Sequence, residues 1–523
     1  MMRRSLLAAL AVLAATLAAP SPGAGAAPGD FYVDPAGSDG GAGSAADPWR
    51  TLQHAVDAVG PGDTIVVRPG TYAGMRIEVS GAAGAPITLR TEQPGTVVID
   101  RPGPANRHDS NVELETWSGA GTVSWWVIAG IEVTGAPNWG IDVRGSADAH
   151  SHHITVVDTV VHHNGLSSVK TGIFFAFTDH VRLVGNESHS NGEHGIYLSN
   201  SGDQFVIRSN HLHDNARCGL HMNGDLSQGG DGLISHGRID RNLITGNGAE
   251  GCAGINLDGV THARLTRNVL LDNHASGIAV FHQDGARCSR RITIRDNTVV
   301  QAEDGRWALV VQGCPRVTVV GNVLLTRHPW RGVIEMPSPS PPHFESDHNV
   351  VTGRFTVDGG DTVLSLAGWQ QATGQDGSSV ASSIAATLLP SGRHVPGGPA
   401  EDAGAPGGPG RDYDGVRRTA GAGPDAGAFE TPYCDGMRAT IVGTAGRDVL
   451  SGTEGADVVA ALGGRDRITL GRGDDTACGG GGRDRISGGP GHDVLVGGRH
   501  HDTVDGGPGT DECRSAETTL RCE

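Results

Sequence analysis

Aspartate recurs every nine residues near the end of the chain, at Asp448, Asp457, Asp466, Asp475, Asp484, Asp493, Asp502 and Asp511. Two residues before each stands a glycine, replaced by His500 in front of Asp502. Two residues after each comes Leu450, Val459, Ile468, Ala477, Ile486, Leu495, Val504 or Cys513. A strict period of this kind dictates a solenoid of stacked turns rather than a compact globule. Glycine admits the left-handed turn and lets backbone carbonyls point inward. The apolar residue makes a short strand and fills a thin core. Two nonapeptides close one coil, so odd and even repeats fall on opposite sides. Each side then stacks carboxylates and carbonyls, the hard oxygen donors that suit Ca²⁺.

The pattern resembles the hemolysin-type (RTX) repeat Gly-Gly-x-Gly-x-Asp-x-U-x, and the resemblance implies calcium as the cofactor, held by the eight aspartates. Arg447, Arg465 and Arg483 precede Asp on the odd side only. Guanidinium groups there would compete for the carboxylates. The even side, with Asp457, Asp475 and Asp493, is therefore expected to bind calcium more tightly.

The middle of the chain repeats less strictly. Asp158, Asn186, Asn210, Asn242, Asn268, Asn297 and Asn322 each stand two residues before an apolar or small residue, at intervals of 24 to 32 residues. A second series is Gly172-Ile173, Gly195-Ile196, Gly219-Leu220, Gly254-Ile255 and Gly277-Ile278. Each coil has room for two or three short strands and no helix between them, which excludes βαβ folds. Stacked Asn side chains can bond from coil to coil. This resembles the right-handed parallel β-helix proteins of the pectate-lyase-like superfamily. The opening, Phe31 to Val33, Pro48 to Leu52 and Gly62 to Tyr72, looks like that family's capped first coil, with Thr51 to Val59 as an amphipathic cap. Pro399 to Gly404 and Pro424 to Glu430 look like its closing coils. The expected class is all-β: a right-handed parallel β-helix solenoid followed by a small calcium-binding parallel β-roll. The expected boundaries are a signal peptide at 1–26, the β-helix at 27–430, a linker at 431–442 and the roll at 443–523.

Arg3-Arg4, the apolar run Leu6 to Ala19 and Ala24-Gly25-Ala26 read as a cleaved export signal. No other stretch is long and apolar enough to span a membrane. A net charge of −18 argues against nucleic acid as a partner. The eight cysteines fit disulfides in an oxidising compartment. The expected bridges are Cys218–Cys252, Cys288–Cys314, Cys434–Cys478 and Cys513–Cys522. A secreted, extracellular monomer is expected.

Along a strand alternate residues face out. With the residue after each glycine inward, neighbouring coils present Phe174, Tyr197, His221 with Asn223, and Asn256 with Asp258 on one outer strip. Asp225, His282 and Asp284 follow at the adjacent turns. Two residues before the glycines stand Lys170, Glu193 and Arg217, and Lys170 is the only lysine in the chain. A long solenoid face is a natural cleft for an extended polymer. The β-helix lyases resembled here use Lys or Arg as base, often with calcium. On that pattern Lys170 or His221 removes the C5 proton of a uronic-acid polysaccharide and Arg217 neutralises its carboxylate. Asp225, Asp258 and Asp284 would hold a calcium ion. Tyr197, Glu193, Asn223, Asn256 and His282 would line the groove. Asn256-Leu257-Asp258-Gly259 resembles an element of the β-helix polygalacturonases, which opens a glycoside hydrolase reading. The same strip would also serve a uronate C5-epimerase or a non-catalytic glycan-binding surface protein. In every case the partner is an extracellular polysaccharide.

Overall fold

A computed structural model describes residues 29–116, 122–389, 392–418 and 421–523. The expected signal peptide at 1–26 lies outside them. Three parallel sheets run along the main body. The first begins at Asp30–Val33 and ends at Glu345–Asp347. The second begins at Met75–Ile77, and the third at Gly70–Ala73. Each coil gives one strand to each sheet, so every strand pairs with its counterpart one coil away. The inward residues Ile173, Ile196, Leu220, Ile255 and Ile278 stack in register and are fully buried. The expected cap is present: helix Leu52–Ala58, with the Thr51 hydroxyl accepting the His54 N–H at 3.2 Å. It shields the first coil, whose strand edges would otherwise be open.

The Asn series forms a buried ladder. Nδ2 of Asn186, Asn210, Asn242, Asn268, Asn297 and Asn322 donates to Oδ1 of the next Asn at 2.9–3.1 Å, ending at Asn349. Asp376 closes it, accepting from Asn349 at 3.0 Å. A second ladder runs through Asn164, Asn191, Asn215, Asn247 and Asn273 at 2.9–3.1 Å. Each ladder fills a corner where the chain turns through positive φ, for example at Ser209 and Asp214. Asn242→Ala would strip the Asn210 amide of its buried acceptor. It is expected to cost about 3 kcal/mol, read as a lowered urea midpoint.

The far end differs from expectation. Helix Leu366–Thr373 caps the last coils, with Trp369 stacked on Phe355 at 4.8 Å. Pro399 to Gly404 and Pro424 to Glu430 are not coils; they carry no strand. This segment runs back over the outer face of the third sheet. Leu388, Ala400 and Ala426 pack on Val300, Val323, Leu325 and Val350. Those side chains point outward from the sheet and would otherwise expose an apolar patch.

Beyond Ile441 two five-stranded parallel sheets form a roll. Val459 pairs Ala477 on one side and Ile468 pairs Ile486 on the other, so a coil is 18 residues and holds two nonapeptides. Val459, Ile468, Ala477, Ile486, Leu495 and Val504 make its core. All four expected disulfides are formed, with Cα–Cα distances of 5.2–5.7 Å. Cys434–Cys478 ties the hairpin Tyr433–Cys434 and Met437–Arg438 to the roll, whose first strand, Ile441–Val442, falls inside the expected linker at 431–442. Among the described residues no helix is long and apolar enough to cross a membrane.

Candidate functional site

The outer strip of the second sheet has the expected register: Phe174, Tyr197, His221 and Asn256 are cross-strand neighbours, as are Ser199, Asn223 and Asp258. The strip divides in two. Its far half is roofed by the turns around Asp225 and Asp284. Asn223 and Asn256 are buried, and Asp258 is fully so. The Asp258 carboxylate accepts the N–H groups of Gln283 at 3.0 Å and Asp284 at 2.6 Å. Asp225 accepts the Ser227 N–H at 2.8 Å, and Asn223 donates to Asp284 at 3.3 Å. His282 bonds the Gly285 carbonyl at 2.9 Å. The expected calcium trio therefore does not converge: its carboxylates close turns, and among the described residues they form no ligand cluster.

The near half is open and carries charge. Arg217 lies 3.7 Å from Glu193, which also accepts from the Thr171 hydroxyl at 3.2 Å. Burial pushes the Glu193 carboxyl up, against the pull of Thr171, Arg217 and Lys170. Lys170 Nζ sits 4.9 Å from the centre of the Trp139 ring, and the Arg144 guanidinium covers the same ring at 4.6 Å. Phe174 lies beneath them and is buried, so Trp139 and not Phe174 offers an aromatic face with Tyr197. His221 stacks on His194 at 4.6 Å, and burial, with help from Arg217, pushes it down to about 4. Asn256 Nδ2 donates to its Nδ1 at 2.8 Å. The ring proton therefore sits on Nε2, which makes His221 a hydrogen-bond donor rather than a proton acceptor.

Trp139, Asp142 and Arg144 were not among the expected residues. Their signal was in the chain: Gly140-Ile141 is the same Gly-Ile step one coil earlier, and Asp142 pairs Phe174. Asp142 accepts from Arg144 Nε at 2.9 and 3.0 Å. Burial raises it to about 6 although Arg144 opposes.

A cavity of about 620 Å³ lies elsewhere, on the first sheet. Its wall is a ring stack on positive-φ residues: Trp125 on His153 at 3.7 Å and His153 on His180 at 4.0 Å. Arg182, Arg238 and Arg264 line it and make no ion pair among the described residues. The cavity holds cations but no carboxylate. The strip holds the amine, the acids and the aromatic face together.

In the roll, Oδ1 of Asp466, Asp475, Asp484, Asp493, Asp502 and Asp511 accepts the N–H of the Asp one coil earlier at 2.8–3.0 Å. Oδ2 of the same six is buried without a partner. Such an oxygen is costly unless a cation meets it. Asp448 and Asp457 differ, because Thr444 and Thr453 donate to their Oδ2 through both N–H and hydroxyl. The six orphan oxygens divide three to a side. Arg447, Arg465 and Arg483 are exposed and pair with none of the repeat aspartates. The expected asymmetry thus loses its stated cause.

Burial raises Asp466 and Asp493 to about 6 and pushes Asp475, Asp484 and Asp502 up as well. A raised carboxyl favours the folded state only while protonated. Stability of the ion-free roll is thus full below about pH 4 and lost as pH rises through about 6. In chelator, circular dichroism is expected to show more folded roll at pH 5 than at pH 8.

Comparison with known proteins agrees with this architecture. Residues 31–193 match the Pel9A-like right-handed β-helix region, and 122–328 match the family of the periplasmic copper-binding protein NosD. Residues 442–477 and 479–513 match the RTX calcium-binding nonapeptide repeat. Pectate lyase PEL9 of Emericella nidulans is 28% identical over 206 residues, 37% of this chain and 49% of that protein. Pectate lyase L of Dickeya dadantii is 27% identical over 269 residues, 42% of this chain and 60% of that protein. The chain thus spans about half to three fifths of these relatives. The crystal structure of pectate lyase Pel9A aligns with 78% of this chain and 97% of its own, at 18% identity and a TM-score of 0.46. The chain is a right-handed parallel β-helix protein that matches the Pel9A-like β-helix region over residues 31–193 and the RTX nonapeptide repeat near its C-terminus.

Proposed function

We propose that the protein is a secreted polysaccharide lyase that cleaves an acidic polysaccharide by β-elimination on the near half of the strip. The observation that carries this reading is the meeting of the sole lysine with Arg144, Trp139, Glu193 and Arg217 on one open face. β-Elimination needs a cation at the uronate carboxylate and a base at C5. Arg217 and Arg144 supply the first. Lys170 supplies the second, because arginine stays protonated and His221 already has its acceptor nitrogen filled. The two pectate lyases among its relatives make de-esterified pectate the first substrate to try. The four disulfides suit an exported protein. Calcium, when bound, would be held in the roll by the six orphan Oδ2 atoms and inward carbonyls, where it neutralises buried charge.

The test is incubation of the full chain with pectate, alginate and glycosaminoglycans, with and without Ca²⁺. Ultraviolet absorbance from an unsaturated uronate is the expected result. New reducing ends without that absorbance would replace the lyase with a hydrolase. A non-catalytic glycan binder is the second reading, favoured by the arginines of the first-sheet cavity, which make no ion pair among the described residues. Retained binding with no product of either kind would establish it.

A further inference from the structure

The third sheet carries a histidine cluster that the proposed chemistry does not use. The tail covers this sheet's outer face from about Leu243 onward, where Phe429 and Ala428 pack. Earlier coils carry polar side chains there. Strands Glu187–His189 and His211–His213 pair in parallel, with Glu187 beside His211 and His189 beside His213. His211 and His213 are two apart on one strand, so both rings face out. They stack at 4.2 Å. Glu187 Oε1 reaches across to His213 Nε2 at 3.0 Å. The other ring nitrogen of His213 is held by Asp214 Oδ2 at 2.7 Å.

We propose that Glu187, His211 and His213 form a binding site for a divalent transition ion of the Zn²⁺ or Co²⁺ class. One ligand atom from each lies within 4.8 Å of the other two. Two imidazoles and one carboxylate are donors that such ions prefer, whereas Ca²⁺ takes oxygen alone. The site is thus chemically distinct from the roll. Asp214 behind His213 reproduces the carboxylate–imidazole arrangement that fixes which ring nitrogen meets a metal. The scaffold is rigid, because the strands are flanked by both Asn ladders, through Asn186 and Asn210 on one side and Asn191 and Asn215 on the other. His189 stacks on His213 at 4.6 Å and closes one edge. The next coil offers Leu243 and Thr245, neither a strong ligand, so a fourth position is left to water. The competing account is a plain ion pair of His213 with its two carboxylates.

The test uses the full chain in saturating Ca²⁺, so that the roll is already filled. Zn²⁺ titration by calorimetry is expected to show one site per chain, and Co²⁺ is expected to give a ligand-field spectrum that Zn²⁺ abolishes. The double variant His211→Gln, His213→Gln is expected to lose both signals. Asp214→Asn, on an exposed turn residue, is expected to weaken Zn²⁺ about tenfold while the fold stays intact. His153→Gln with His180→Gln, in the ring stack of the first sheet, is expected to change neither signal. Absence of a Co²⁺ spectrum in the unaltered chain would overturn the proposal. So would equal Zn²⁺ binding by the double variant, which would place the ion on another histidine cluster.

Discussion

Lys170→Ala is expected to lower kcat/KM on the susceptible polyuronate by about a thousandfold, in the range that loss of a positioned base produces. Among the groups on the open strip, Arg144 and Arg217 cannot give up a proton at useful pH. His221 keeps its proton on Nε2 because Asn256 fills Nδ1. Asp258 lies beneath a turn and spends both oxygens on backbone amides. Glu193 is held by Arg217 and the Thr171 hydroxyl, which leaves Lys170, on the aromatic face of Trp139 beside the arginine that would meet the substrate carboxylate. Arg217→Gln should act differently, raising KM more than it lowers kcat, because its partner is the substrate's fixed charge. Full activity in Lys170→Ala would move the base elsewhere. Unchanged KM in Arg217→Gln would remove that residue from carboxylate binding.

Asp484→Ala and Asp493→Ala are each expected to weaken calcium binding by about tenfold or more, and by the same amount, whereas Asp448→Ala changes it little. The reason lies in the second oxygen. Asp484 and Asp493 hold an orphan Oδ2 in the interior of each stack. Asp448 has already given its Oδ2 to Thr444. Equilibrium calcium binding to each variant checks this. A larger loss from Asp493 than from Asp484 would restore the asymmetry that the arginines suggest in the sequence. An equal loss from Asp448→Ala would show that the threonine contacts give way to the ion.

The period-nine aspartates and the Gly-Ile steps are enough to place both solenoids, because each reports a constraint that repeats in every coil. The same steps fix the register of Tyr197, His221 and Asn256. What the repeats do not show is what lies on top of them. The turn Gln283-Asp284 reaches back over Asp258, and that contact depends on loop conformation rather than spacing. Trp139 is legible in principle, because Gly140-Ile141 extends the Gly-Ile series by one coil; its place over Phe174 is set by a turn that the series does not describe. The return of Pro399 to Glu430 across the third sheet is written in Val300, Val323 and Val350, whose outward side chains break the polar-out alternation. Thr444 and Thr453 stand where the next repeat has Leu462 and the five after it have glycine, and only geometry shows that they silence the first aspartate on each side.

Hydrogen exchange of the full chain at neutral pH, with millimolar Ca²⁺ and again with chelator, puts the reading of the buried Oδ2 row at risk most directly. Amides of 443–523 are expected to exchange slowly only when Ca²⁺ is present, while strands such as Ala253–Asp258 keep their protection in both conditions. Equal protection of the C-terminal segment with and without the ion would contradict that reading.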